Sequence, residues 1–180
     1  QYDQSQVTAN STSIPVTLLS TPLCIDPKGN EGLNPQKTEP TNPLYSLDKQ
    51  QSSLVYYDKN TIVLTMPYWV KVTNSSVEDS ELKKHSFVLS YDPTTMKDTD
   101  TKLKLYISHV VDDAGETVTR SNFTYAYRAY SIRAALTVFK EKTGKLPKYL
   151  ELTAKTNSSK DELKEESGET SVEYDYAFTE

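Results

Sequence analysis

The 180-residue sequence has one cysteine, Cys24, so no intramolecular disulfide can form. A chain this long does not need one, because above ~80 residues a hydrophobic core holds without disulfide or metal staples. Cys24 lies between Leu23 and Ile25, the setting of a quiet thiol in an apolar pocket. No well-placed histidine stands near it in sequence to activate it as a nucleophile. It is a poor lipid-attachment residue too, since Pro22 and Leu23 stand where small residues would precede a lipidated cysteine.

Glycine is also scarce. Five glycines, none in a GxxxxGK[ST] or GxGxxG pattern, leave no loop to cradle a phosphate. No serine sits in a G-x-S-x-G elbow. Two histidines and one cysteine, with no CxxC, HExxH or HxH spacing, do not compose a zinc site. "DDAGE", residues 112–116, lacks the alternating oxygen ligands and distal glutamate of a calcium loop. The expectation is a non-enzymatic chain with no cofactor and no catalytic or metal-binding residue.

Long apolar runs are missing, and nothing approaches the ~18 consecutive apolar residues of a membrane-spanning helix. Basic excess is missing as well. The balance of 25 acidic to 20 basic side chains, net −5, argues against a nucleic-acid partner. A start at Gln1 fits a chain from which a leader was removed. Asn-x-Ser/Thr triplets at Asn10, Asn74, Asn122 and Asn157 add a hint of secretion, so an extracytoplasmic location (secreted, periplasmic or cell surface) is expected.

What the chain does have is tyrosine, 13 against 4 phenylalanines. Tyrosine suits half-buried strands, where the ring packs and the hydroxyl stays wet. Residues 1–13 are polar and lack an apolar period. From 14 to 53 the chain carries Pro15, Pro22, Pro27, Pro35, Pro40 and Pro43, with room for one short strand at 16–19. Residues 1–53 therefore read as a flexible lead-in and a Pro-rich extended arm, and 54–180 as a single domain.

Within that domain, period-2 alternation marks strands at 54–57, 62–72, 85–91 and 102–111. In the last of these Leu103, Leu105, Ile107, His109 and Val111 point inward, which makes His109 a half-buried, hydrogen-bonded imidazole. His85, after "ELKK", is expected to be exposed. "DDAG" at 112–115 reads as a hairpin turn returning into "ETVTRSNFTYAYRA". "SIRAALTVFKEKTG" predicts an amphipathic helix, capped by Ser131, with Ile132, Ala135, Leu136 and Phe139 on its apolar stripe and Gly144 and Pro147 stopping it. A strand follows in "LPKYLELTAK". Ser159 and Glu162 form a capping box for a marginal helix, with only Leu163 apolar. "SVEYDYAF" closes the chain with Val172, Tyr174, Tyr176 and Phe178 inward. The expected fold is α+β: a twisted antiparallel sheet with one amphipathic helix packed on a face.

The stretch "VYYDKNTIVLTMPYWVKV", residues 55–72, is about a tenth of the chain. It resembles the start of bacterial surface-adhesin protein E-like domains, in which a Tyr-Asp pair precedes a turn and a strand ending in Trp-Val-Lys/Arg-Val. The matching positions are Tyr57, Asp58, Ile62, Trp69, Val70, Lys71 and Val72. The resemblance implies an outer-surface or periplasmic domain with a helix on a twisted antiparallel sheet. The chain departs from the family in its longer N-terminal region, in Pro67 and in lacking two disulfide-forming cysteines.

Pro67 interrupts the most apolar strand, where it cannot donate a ladder hydrogen bond, so an edge or a bulge is expected there. The odd-numbered face, Val63, Thr65, Pro67, Trp69 and Lys71, is too apolar to be purely solvated. Pro67, Trp69 and Lys71 are the candidate binding residues, with Trp69 partly exposed under the arm or at a partner surface. A protein or glycan partner and a role in binding or adhesion follow as expectations. The alternative is a structural or accessory subunit of a cell-envelope or virion assembly.

Overall fold

Five alternate residues of the most apolar stretch, Ile62, Leu64, Met66, Tyr68 and Val70, are almost wholly withdrawn from water and form the centre of the core. The structure is a computed structural model that describes residues 8, 10, 12, 13, 42–161 and 168–178. The expected strand at 16–19, Cys24, Pro15, Pro22, Pro27, Pro35, Pro40, Glu162 and Leu163 lie outside the described residues.

The fold is α+β. In chain order it comprises β1 (Ser53–Asp58), β2 (Thr61–Val70), the one-turn helix α1 (Asp79–Leu82), β3 (His85–Ser90), β4 (Lys102–Val111), β5 (Asn122–Ser131), α2 (Arg133–Thr143), β6 (Tyr149–Lys155) and β7 (Glu169–Asp175). These strands form two sheets, where the sequence suggested one. A three-stranded antiparallel sheet has the order β1-β2-β5, and a four-stranded mixed sheet has the order β3-β4-β6-β7. β4 and β6 run parallel. Parallel neighbours require a long crossover, which here passes through β5 in the other sheet and then through α2.

That routing corrects the expected hairpin. Asp112–Gly115 does turn, with Ala114 and Gly115 at positive φ and Glu116 N–H donating to Asp113 O. β4 and β5 nevertheless do not pair. β4 lies between β3 and β6, while all ten residues of β5 pair with β2. The turn reverses the chain without closing a hairpin, because β5 pairs with β2, whose inner face is apolar.

Both sheets and α2 contribute to one core. Leu103, Leu105 and Ile107 of β4 and Leu150, Leu152 and Ala154 of β6 supply one side. Ala135, Leu136 and Phe139 of α2 are buried against them. Ser131 does not cap this helix. It belongs to β5, and the helix is entered through Ile132, whose N–H donates to Asn60 O at 2.7 Å. Gly144 ends it in the left-handed conformation, φ 75°, donating to Lys140 O. In β7 Val172 is buried, as is Tyr176 just beyond it, but Phe178 is exposed, because the strand ends at Asp175.

Candidate functional site

Pro67 fits into β2 because β1 has already ended. β1 pairs with β2 only as far as Ser53 opposite Thr65. Beyond that point the same edge is taken by a short strap, residues 42–45. Tyr45 N–H donates to Pro67 O at 3.0 Å, and Leu44 bridges Tyr68. In an extended strand the N and C=O of one residue face the same neighbour. The missing donor of Pro67 is therefore lost to the strap, and the β2–β5 ladder keeps unbroken register.

The strap also accounts for Trp69, which is only 6% exposed, against the expectation of partial exposure. Trp69 stays on the outer face, outside the main hydrophobic cluster. Its burial comes from what lies over it. Tyr45 meets it edge-on, ring centroids 5.0 Å apart, and stacks at 4.2 Å on Phe123, the β5 residue opposite Trp69. The indole N–H donates to Asn157 O at 2.8 Å. Lys71 is exposed at the end of the strand, and its backbone N–H donates to Glu81 Oε1.

Away from Trp69 the outer face of the three-stranded sheet is half-buried along β2 and exposed on β1 and at Tyr125. β2 presents Thr61, Val63 and Thr65 there, β5 presents Ser131, Ala129 and Tyr127 across from them, and Tyr125 lies across from Pro67. β1 adds Ser53 and Val55, and Tyr57 at its bulge is 81% exposed. Phe123 and Tyr125 are also exposed. None of these side chains is charged, in a chain where a quarter of residues are. Such a contiguous apolar and hydroxyl-bearing surface marks an interaction site more often than a solvated one.

A second cluster lies at the end of β2 and is made of charge. Arg120, in the crossing from β4 to β5, is buried and grips Asp113 with two parallel bonds, Nη2 to Oδ1 at 2.7 Å and Nη1 to Oδ2 at 2.9 Å. Its Nε donates to Glu81 Oε1 at 2.7 Å, and Nη1 reaches Asp161 Oδ2 at 3.3 Å. Lys84 also pairs with Asp113, and Asn42 of the strap donates to Asp161. His85 Nε2 lies 3.2 Å from Glu81 Oε1, and its Nδ1 lies 2.8 Å from His109 Nε2. His109 Nδ1 in turn faces Pro43 O at 3.2 Å. The Tyr68 ring meets both imidazoles edge-on.

Burial lowers the pKa of both histidines, that of His109 to about 3 with help from neighbouring His85. For His85 the Glu81 hydrogen bond opposes the effect of burial without cancelling it. Burial likewise works to raise Glu81, but hydrogen bonds from Arg120, Lys71 and His85 outweigh it and hold the carboxyl below its ordinary value. The Arg120 hydrogen bond draws Asp113 down to about 2.

Between the two clusters lies a pocket of about 390 Å³, bounded by Trp69, residues 117–121 and residues 159–161. Among the described residues no group of three or more His, Cys, Asp or Glu side chains has the arrangement of a metal site.

No family model matches the chain. No curated protein matches it either. Solved structures do. A Bacteroides fragilis protein described as a "putative lipoprotein" aligns with 100% of this chain and 80% of its own, at 29% identity and a TM-score of 0.76. An uncharacterized protein from Parabacteroides merdae aligns with 82% of this chain and 64% of its own, at 15% identity and a TM-score of 0.42, too distant to carry an argument. The two-sheet architecture is thus shared with the Bacteroides fragilis protein, and what the site does must be argued from its side chains.

Of the sequence-predicted residues, Pro67 and Trp69 come together under the strap, and Lys71 stands apart with its side chain in solvent. Glu81, His85 and Arg120 were not foreseen as a cluster. The only local signal was the i,i+4 spacing of Glu81 and His85. His85, expected to be exposed, is buried because β3 pairs with β4 from its first residue, His85 opposite Val111.

Proposed function

We propose that the chain is a non-enzymatic, extracytoplasmic binding or adhesion domain of a bacterial cell envelope, and that the outer face of the β1-β2-β5 sheet is its binding surface. The observation that carries the reading is the charge-free outer face, whose Val55, Tyr57, Phe123 and Tyr125 are exposed. Soluble domains rarely leave so contiguous an apolar surface without a use for it. The tyrosines on its flanking strands, Tyr57 of β1 and Tyr125 and Tyr127 of β5, suit a protein or glycan partner, because the ring gives rigid contact area and the hydroxyl a hydrogen bond. The Bacteroides fragilis likeness supports the envelope location, as does the resemblance of residues 55–72 to surface-adhesin protein E-like domains. No described helix is long and apolar enough to cross a membrane.

The test is binding of the purified chain to arrayed glycans and to immobilised extracellular-matrix proteins. Val63→Lys and Tyr125→Glu, each placing a charge on the outer face, are compared with the native chain at equal thermal stability. Binding by the native chain and at least about a tenfold loss in both variants is the expected result, the scale on which burying an unpaired charge acts. Equal binding by all three, or by none, overturns the reading. Stable co-assembly with another envelope protein through this face would favour an accessory-subunit role over adhesion.

A further inference from the structure

We infer that His85 and His109 form an acid-made clasp: a second ring proton on His85 completes a hydrogen-bonded chain from Glu81 to Pro43 and fastens the 42–45 strap over Trp69. The chain has three contacts, Pro43 O to His109 Nδ1, His109 Nε2 to His85 Nδ1, and His85 Nε2 to Glu81 Oε1. Each needs one hydrogen, and two neutral imidazoles carry two. Pro43 O only accepts, so His109 must donate from Nδ1 and accept at Nε2. His85 must then donate from Nδ1 to His109, and its Nε2 meets a carboxylate oxygen. That last contact is a hydrogen bond only if Nε2 also carries a proton.

The third hydrogen does not belong on Glu81. Its Oε1 already accepts from Arg120 Nε and from Lys71 N–H, and protonating that oxygen would oppose both donors. Charge balance agrees. Glu81, Asp113 and Asp161 face Arg120 and Lys84, three carboxylates against two cations, so a cationic His85 brings the cluster to neutrality. An uncompensated charge in such a buried cluster is costly.

The groups facing the pair are Glu81 of α1 and Lys84 just after it, Tyr68 of β2, and Arg120 and Asp113 between β4 and β5, with Asp161 beyond Arg120. Arg128 of β5 lies over Phe87, whose other contacts include the His109 ring. Two titratable groups touch the strap besides His85: His109 bonds Pro43 O directly but stays neutral down to about pH 3 because burial lowers its pKa, and Asp161 acts through Asn42. Burial places the His85 transition below the ordinary histidine value.

The sign follows from docking. With the strap displaced, Pro43 O is gone and two hydrogens satisfy the two remaining contacts. With it docked, the third is needed, so docking raises the pKa of His85 relative to the undocked fold. Docking is then strongest below the undocked value and weakens as pH rises through the docked one. The strap amides report it directly, since Leu44 N–H donates to Lys155 O and Asn42 N–H to His109 O.

The experiment is ¹⁵N-histidine NMR of the full chain with amide-exchange protection factors, from about pH 7.5 to 4.5, either side of the ordinary histidine value. Expected are His109 protonated at Nδ1 throughout, His85 gaining its second ring proton on acidification, and Leu44 protection rising with it. The rise should be about tenfold per pK unit separating docked from undocked His85. Asp161→Asn should keep this dependence, and Glu81→Gln should flatten it. His109 protonated at Nε2 instead, His85 titrating without a change at Leu44, or loss of the dependence in Asp161→Asn would each overturn the clasp. The first and second of these are read on the native chain, so they stand even if a variant fails to fold.

Discussion

His109 Nε2 lies 2.8 Å from His85 Nδ1, so the chain's two histidines touch each other inside a cluster of charge that Arg120 completes. The contact ties the inner strand β4 to the first residue of β3. It also ties both to the strap through Pro43.

His85→Ala and His109→Ala should therefore both destabilise the fold, although the sequence alone places His85 in solvent. Each leaves a buried polar partner unsatisfied, a loss of about 1–3 kcal/mol. Urea unfolding midpoints measure it, and a His85→Ala midpoint equal to that of the native chain would show that the contact contributes nothing.

Arg120→Met should be the most damaging single change in this region. It strands Glu81, Asp113 and Asp161 without their shared cation, and breaking a buried pair from one side costs about 3–5 kcal/mol. Arg133→Met, at the exposed start of α2, should stay within about 0.5 kcal/mol of the native chain. Similar losses from the two substitutions would mean that the Arg120 network is incidental.

Acid should erode the same network. The Asp113 carboxyl is held at about 2 against an ordinary 3.8, chiefly by the Arg120 hydrogen bond. A carboxyl with a depressed folded pKa stabilises above its unfolded value, and the stability is lost as pH falls through the folded one. Stability attributable to Asp113 is thus complete above about pH 4 and lost between there and about pH 2. Denaturant unfolding across that window should show a shallower pH slope for Asp113→Asn than for the native chain.

Trp69 should emit as a buried indole and resist quenching by acrylamide, since Tyr45 and the Asn157 carbonyl enclose it. Tyr45→Ala should red-shift the emission and open the ring to quencher. Red-shifted emission from the intact chain would mean that the strap does not cover the tryptophan in solution.

Truncation after Gly168 removes β7, the edge of the four-stranded sheet, together with Tyr176. Val172 and Tyr176 are buried, each contributing on the order of 1.5–3 kcal/mol. The Tyr176 hydroxyl and the Asp175 carbonyl also bond the β1–β2 hairpin region, at Lys59 O and the Tyr56 hydroxyl. The shortened chain should be unfolded or aggregated by circular dichroism and light scattering. An unchanged melting temperature would show the strand to be dispensable.

The period-2 pattern by itself determined which side chains of β2 and β4 face the core. Ile62 through Val70 and Leu103 through His109 are buried at the alternate positions their sequence spacing requires, because that spacing is a local property of an extended chain. Pairing is not local. Asp112–Gly115 has the chemistry of a hairpin turn, yet β5 joins β2 in the other sheet. The burial of Arg120 in the crossing depends on carboxylates 39 and 41 residues away, at Glu81 and Asp161. Pro67 and Trp69 were legible as an anomaly on an apolar outer face. What resolves the anomaly is Tyr45, brought onto them by a strap whose own backbone bonds run to Lys155 and His109. Only tertiary structure could decide these contacts, since each joins groups that share no period and meet only once both sheets have closed on one core.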